Sequence, residues 1–349
     1  MDHILLEDIE YIANSADIAW DRLRNMAVLI TGASGLIGSQ IVFALDKYNQ
    51  LYDGEIRIYA LVRNIGKAEK LFRDCTGFVH TVTGDIQADI DIEDDIDYII
   101  HGASMTSSRD FVDYPVETIL TGMNGTDNVL KFARNKKVES MVYLSSLEVY
   151  GVTDPDKMSI REDEYGYIDQ LVPRSSYSEG KRMAECLCIS YGNEYNVPVK
   201  IARLSQTFGP GVSYGDNRVF AQFARCAIEE KDIVLKTKGE TYRNYCYIRD
   251  AVMGILCVLL KGRDCEAYNI ANKATGISIC EMAKLVAHDI AKDKIQVVFD
   301  IADDISKLGY GPTIKIALDT AKIEELGWKA EVNLKDSFER MIQSMKSFD

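Results

Sequence analysis

A chain of 349 residues, 47 % of them hydrophobic, has enough apolar material for one large or two small domains with a substantial core. Its formal net charge of −14 argues against nucleic acid or an anionic membrane surface as a partner, while a local arginine cluster can still hold an anionic small molecule. No apolar run approaches bilayer-spanning length and no charged–apolar–small leader opens the chain, so a cytoplasmic setting is expected.

From the N-terminus, Leu5, Ile9, Ile12, Ile18 and Leu23 among acidic residues predict one or two short amphipathic helices, a strap (1–26) across the surface of the domain that follows. Next, the apolar run Val28-Leu29-Ile30-Thr31 enters Gly32-Ala33-Ser34-Gly35-Leu36-Ile37-Gly38, and helical periodicity (Ile37, Ile41, Val42, Leu45) begins at once. Gly32 and Gly35 let backbone approach a pyrophosphate, whose charge rests on free N–H groups at the positive end of the helix. Gly38 lets helix and strand pack closely. Gly32, Ser34, Gly35, Leu36, Ile37 and Gly38 form the candidate dinucleotide cradle.

Strands are predicted near 27–31, 56–62, 78–83, 97–101, 138–145 and 198–204, and helices near 35–48, 64–74, 115–135 and 177–195. This alternation predicts an α/β fold, a Rossmann-type doubly wound parallel sheet over 27–204. Ligands bind at the carboxyl ends of such strands, where Thr31, His101 and Ser145 fall. The aspartate-dense run Asp85–Asp97 reads as a solvated loop, because it lacks the glycine-punctuated spacing of a calcium site. After Pro210 the pattern is less regular. Short apolar segments (233–235, 268–270, 296–298) and two helical stretches (250–260, 278–291) predict a smaller substrate-binding lobe over 205–349, with segments returning to the core. The eight cysteines include no Cys-x-x-Cys pair and the four histidines are scattered, so neither a metal site nor a disulfide framework is expected.

Two further motifs carry chemistry. The strand Met141-Val142-Tyr143-Leu144-Ser145-Ser146 ends in hydroxyls, and Tyr177-Ser178-Glu179-Gly180-Lys181 places a phenol and an ammonium one helical turn apart. A lysine beside a tyrosine favours the phenolate and is expected to lower its pKa from about 10, fitting Tyr177 for proton transfer near neutral pH. Ser146 is placed to hydrogen-bond the reacting oxygen.

In this order, the glycine turn, the serine-terminated strand and Tyr-x-x-x-Lys resemble the extended short-chain dehydrogenase/reductases that modify nucleotide-linked sugars. The resemblance runs from about residue 26 to the end. Within that family it is nearest to UDP-glucuronate decarboxylase-like and nucleotide-sugar 4,6-dehydratase-like enzymes, through Glu148-Val149-Tyr150-Gly151 and the block from Pro173 to Arg182. It implies adenine contacts from Asp85 and Ile86, and a strand under the nicotinamide at Gly102, Ala103 and Ser104. It implies that Gln206, Arg218 and Arg243 bind substrate, the arginines at the diphosphate and nucleotide. It also implies a homodimer built on the two helices near 115–135 and 177–195.

Four departures from the family pattern bear on function. Leu147 replaces the hydroxyl residue of the decarboxylases and the acid of the dehydratases. Gly122 replaces an asparagine, and Gln206 stands where an asparagine is usual. Arg63 follows the second strand where NAD-preferring relatives place an acid, and its guanidinium suits a 2′-phosphate, which points to NADP over NAD.

The implied chemistry is hydride transfer through a keto sugar, with Tyr177 as acid–base, Lys181 as its support, Ser146 as oxyanion donor and Glu148 as a base beside the ketone. The alternatives are an NADPH-dependent reductase of a nucleotide-linked keto sugar or ketose, and a non-catalytic NAD(P)-binding sensor or scaffold.

Overall fold

Strands with two buried faces need helices on both sides, and the chain supplies them in alternation. The computed structural model describes residues 2–154, 156–157, 159–301 and 313–347. In chain order the first elements are α1 (His3–Asn14), β1 (Ala27–Thr31), α2 (Leu36–Tyr52), β2 (Arg57–Val62), α3 (Ile65–Phe72), β3 (Val79–Thr83), β4 (Tyr98–His101), α4 (Asp110–Asp113), α5 (Pro115–Lys136), β5 (Ser140–Ser146), α6 (Ser176–Tyr195) and β6 (Val199–Leu204). There follow β7 (Gln206–Phe208), α7 (Val219–Glu229), β8 (Ile233–Leu235), β9 (Tyr242–Tyr247), α8 (Ile248–Lys261), β10 (Ala267–Ile270), β11 (Asn272–Ser278), α9 (Ile279–Leu285), β12 (Val297–Phe299), β13 (Lys315–Ile316), α10 (Ala321–Glu324) and α11 (Leu334–Lys346).

Seven strands form one parallel sheet in the order β10-β6-β5-β4-β1-β2-β3. The period of two in β1 is visible in its packing. Val28 and Ile30 enter the apolar layer shared with α1, α2 and α8, while Ala27 and Leu29 enter the opposite layer with α5 and α6. A second sheet, β11-β9-β13 with β7 on β9, and the pair β12-β8 belong to the later part of the chain. Phe208, Phe220 and Phe338 lie in the apolar cluster of that part.

The strap holds the α-helix α1 and a short 3-10 turn at Trp20–Arg22. Asp2 caps α1 by accepting from the Leu5 amide at 3.0 Å, and Leu5, Ile9 and Ile12 bury one stripe against the core. Two segments of the later part of the chain lie with the main sheet. Tyr268–Ile270 lies in β10, the edge strand paired in parallel with β6, and α8 packs beneath the sheet. α8 is apolar and buried on nearly every side, as a helix without a polar face must be. The expected helix over 278–291 is α9 followed by a π-helical turn at Val286–Ile290.

Asp250, at the start of α8, ties the C-terminal segment to this core. Its buried carboxylate accepts from the amides of Glu331 and Val332 at 2.8 Å each and from Arg249 at 3.1 Å, and its carbonyl accepts from Trp328 at 3.0 Å. Asp250→Ala would leave a buried amide, Val332, and a half-buried one, Glu331, without their acceptor. It is expected to destabilise the fold by about 3 kcal/mol, read as a lowered midpoint in urea unfolding with unchanged slope.

Candidate active site

The site is built on the carboxyl edge of the main sheet. At the end of β1 the chain turns through Gly32 at φ +70°, and the Gly35 amide donates to the Gly32 carbonyl at 3.0 Å. A β-carbon on Gly32 would lie 2.9 Å from the Ala103 amide nitrogen, and one on Gly38 would lie 2.4 Å from the Gly32 carbonyl oxygen. Neither position has room for a side chain, so α2 seats directly on β1 with its free N-terminal amides at the sheet edge.

The end of β4 is locked to this turn. His101 is buried, its Nδ1 2.7 Å from the Thr31 hydroxyl and its Nε2 3.2 Å from that of Thr126, and the Thr31 hydroxyl accepts from the Ala103 amide at 3.1 Å. Burial, reinforced by the Lys181 charge, drives the His101 pKa down to about 3, so the imidazole is neutral. Gly102, Ala103 and Ser104 follow, half-buried. Ile86 packs onto Gly125, where a β-carbon would come within 2.4 Å of it, while Asp85 beside it is exposed. Arg63 stands exposed beyond β2 with no ion-pair partner among the described residues. Lys67 of α3 donates to the Ser34 carbonyl at 3.2 Å and so brings a cation to the glycine turn.

Ser146 ends β5, and Tyr177 and Lys181 open α6. Lys181 is buried and donates to the Leu144 carbonyl at 2.8 Å, with its ammonium 4.6 Å from the Tyr143 ring centre and 5.8 Å from that of Tyr177. Burial lowers the Lys181 pKa to about 8, opposed by the carboxylate of Glu185 one turn further along α6. The expected depression of the Tyr177 pKa is not found. Burial pushes the phenol well above its ordinary value, the Glu148 charge adds to this, and Ser146, Arg174 and Arg218 only oppose it. The Lys181 ammonium is spent on the Leu144 carbonyl rather than aimed at the phenol oxygen.

Three features of this cluster carried no assigned role in the sequence. The Phe111 ring of α4 stacks on Tyr177 with centroids 4.2 Å apart and planes 9° from parallel. Arg174 holds both oxygens of Glu148, at 2.9 and 3.0 Å, and Ser178 donates to the same carboxylate at 3.1 Å. Beneath them, Glu185 receives Ser145 at 2.5 Å and Arg203 at 2.7 and 3.0 Å, all three buried. Arg174 lay within the recognised block, but a fold through α4 was needed to put Phe111 beside Tyr177. Glu148 itself sits in a 3-10 turn, Leu147–Tyr150, rather than in an extended segment.

Leu147 is buried in an apolar cluster with Ile160, Ile316 and Leu318. Gly122 faces open space on α5. Gln206 and Arg243 stand on the adjacent strands β7 and β9, with no hydrogen bond to Ser146, Tyr177 or Lys181 among the described residues, and the Arg243 Nε is buried without a partner. Arg218 precedes α7 and pairs with Asp216 at 2.6 Å.

The model of the NAD dependent epimerase/dehydratase family matches residues 28–271. UDP-glucuronic acid decarboxylase 6 of Arabidopsis thaliana is 31 % identical over 326 residues, spanning 92 % of this chain and 89 % of its own. Solved structures share the fold at lower identity. The epimerase Mth375 of Methanothermobacter thermautotrophicus superposes with a TM-score of 0.77 at 22 % identity, over 97 % of this chain and 96 % of its own. The dTDP-glucose 4,6-dehydratase DesIV of Streptomyces venezuelae, solved with NAD, gives 0.74 at 22 % identity, over 92 % and 97 %.

The Lys181 environment has a signed consequence for stability. Its folded pKa of about 8 lies below the ordinary 10.5, so between these values the unfolded chain holds more protons and stability rises with pH. Relative to Lys181→Met, the parent chain should gain up to ~3 kcal/mol from below pH 8 to pH 10.5, measured by urea unfolding at each pH.

Proposed function

This chain is a member of the NAD dependent epimerase/dehydratase family, and we propose that it modifies a nucleotide-linked sugar by hydride transfer through a keto-sugar intermediate, with Tyr177 as the acid–base. The observation that carries this reading is the convergence of the glycine turn with Ser146, Tyr177 and Lys181 on one edge of one sheet.

A dinucleotide fits the residues present, since the turn has no room for a β-carbon at Gly32 or Gly38 and offers free helix amides. Gly32, Ser34, Gly35, Leu36, Ile37 and Gly38 would hold its pyrophosphate, Asp85 and Ile86 its adenine, and Gly102, Ala103 and Ser104 its nicotinamide end. When bound, it supplies a hydride acceptor or donor. Arg63, exposed and without an ion-pair partner among the described residues, with Lys67 beside the turn, supports NADP over NAD.

In this reading Tyr177 takes the proton of a sugar hydroxyl. The raised pKa of the phenol makes cationic support essential; Arg174 and Arg218 oppose the rise, and Lys181, protonated below about pH 8, is the further cation beside the ring. Ser146 donates to the developing oxyanion, where a preorganised donor contributes about 3 kcal/mol. Glu148 is the anion beside the keto carbon, and Arg218 and Arg243, the latter with an orphan buried Nε, serve the substrate's phosphates. Gln206 completes the substrate side.

Leu147 is turned into an apolar cluster and supplies no acid to expel water, which argues against dehydration. The similarity to a UDP-glucuronic acid decarboxylase makes a nucleotide-linked uronate the first substrate to test. Arg63 also favours a second reading, net reduction of a nucleotide-linked keto sugar by NADPH. Exposed Val116, Ile119 and Leu120 on α5 and Met183 on α6, two helices packed side by side, support a homodimer.

The test is to release and identify any cofactor retained by the purified protein, then to follow NAD(P)H and sugar products with UDP-glucuronate and a panel of nucleotide-linked sugars and keto sugars. Product without net change in NAD(P)H supports the redox-neutral reading, and stoichiometric NADPH loss replaces it with the reductase. Tyr177→Phe should lower turnover about 10³-fold with cofactor binding retained, measured by steady-state kinetics and fluorescence titration. Arg63→Ala should weaken NADP+ about tenfold and leave NAD+ unchanged by the same titration.

A further inference from the structure

A carboxylate and a guanidinium share the wall around Tyr177, and their geometry is that of a closed pair. Arg174 donates from both terminal nitrogens to the two oxygens of Glu148, at 2.9 and 3.0 Å, and both side chains are mostly buried, at 16 % and 18 % exposure. Ser178, on the helix that carries Tyr177, adds a third hydrogen bond to Glu148 at 3.1 Å. The guanidinium carbon lies 4.8 Å from the Phe111 ring centre, and Phe111 stacks on Tyr177. Arg174, Phe111 and Tyr177 therefore form one packed column, with Glu148 bracketed by Arg174 and Ser178. The chemistry described so far gives Arg174 no part.

We propose that Arg174 is a positioning residue for the Tyr177 site: by holding both oxygens of Glu148 it fixes that carboxylate in place and cancels its charge at the phenol. This rests on the acid–base reading of Tyr177.

The other groups facing the phenol come from every element packed against it. Ser146 comes from β5 and Glu148 from the turn after it, Arg174 from the turn before α6, Lys181 from α6 itself, Tyr143 from β5 and Arg218 from the segment before α7. Of the charged groups among these, only Glu148 disfavours the phenolate, and Arg174 is the cation bound directly to it. Bidentate geometry matters, because a guanidinium in this position both neutralises the carboxylate and prevents it from rotating.

The consequence is a signed pattern. Arg174→Gln leaves Glu148 uncompensated and makes the phenolate harder to form. Glu148→Gln leaves Arg174 uncompensated and makes it easier. The double variant leaves two neutral groups. The limb of the pH–rate profile governed by Tyr177 should therefore move up by about one unit in Arg174→Gln, down by about one unit in Glu148→Gln, and return close to the parent value in the double variant. Arg174→Lys, which keeps the charge, should leave the limb near its parent position.

The readout independent of turnover is 3,5-difluorotyrosine placed at position 177, whose phenol titrates well below that of tyrosine, followed by fluorine NMR in the full-length protein. Opposite shifts of this titration in the two single variants, cancelling in the double, support the proposal. No shift, or shifts of the same sign, overturn it. If the fluorine titration moves as expected while the pH–rate limb does not, Arg174 keeps its role and the acid–base reading of Tyr177 falls. Should Arg174→Gln fail to fold, Glu148→Gln and Arg174→Lys still decide it: a downward shift in the first with none in the second supports the proposal, and equal shifts overturn it.

Discussion

The buried ion pair between Arg203 and Glu185 is the interaction on which the arrangement of the site depends. Arg203 lies on β6 and Glu185 on α6, one turn beyond Lys181, and the pair is joined by Ser145 from β5. Arg203 also donates to the Tyr150 hydroxyl at 2.9 Å and to the Glu162 carbonyl at 2.7 Å, and Tyr150 donates to Asn269 of β10 at 2.6 Å. Asn269 in turn donates to the carbonyls of Ile160 and Asp319, at 3.1 and 3.0 Å. Glu185 thus ties the helix bearing Tyr177 and Lys181 to both β5 and β6, and the Arg203 guanidinium and Tyr150 connect them to the later part of the chain. A buried pair of this kind contributes little net stability, yet loss of either partner strands a charge in the core, so the network fixes position more than it adds free energy.

Above that network, the site is electrostatically spare. His101 is held neutral by burial and by the Lys181 charge, and it serves as a hydrogen-bonded brace between Thr31 and Thr126. Burial lowers the Lys181 pKa to about 8, its ammonium is tied to the Leu144 carbonyl, and Glu148 is matched by Arg174. The phenol of Tyr177 therefore sits among groups whose charges are each offset or weakened, which leaves its ionisation responsive to whatever charge arrives with a ligand. A net charge of −14 on the chain has little to do with this, because the local groups are a few ångströms away and the global charge is screened by salt.

Much of the site was legible in the sequence because its motifs are local. A strand, a glycine turn and a helix N-terminus are contiguous residues, and Tyr177 and Lys181 are neighbours on any helix. Other parts were not legible, for definite reasons. The pKa of Tyr177 was expected to fall because adjacency on a helix puts the ammonium near the ring. Where that ammonium points was decided by the Leu144 carbonyl on β5, and burial set the direction of the shift. Phe111 and Tyr177 are 66 positions apart, and no periodicity couples them. The segment 268–270 looks like any short apolar run, and its place at the edge of the main sheet follows from pairing with β6.

The sequence by itself determined the alternation of strands and helices, the parallel sheet and the glycine turn before α2, and it marked the candidate chemistry-bearing residues, since these follow from periods of two and 3.6 and from short motifs. Only the tertiary structure decided the electrostatic state of those residues and their partners: Glu148 closed by Arg174, Leu147 turned into an apolar cluster, Lys181 tied to a carbonyl, His101 neutral between two hydroxyls. Burial and hydrogen bonding depend on which distant segments pack together, and local pattern holds no information about that packing.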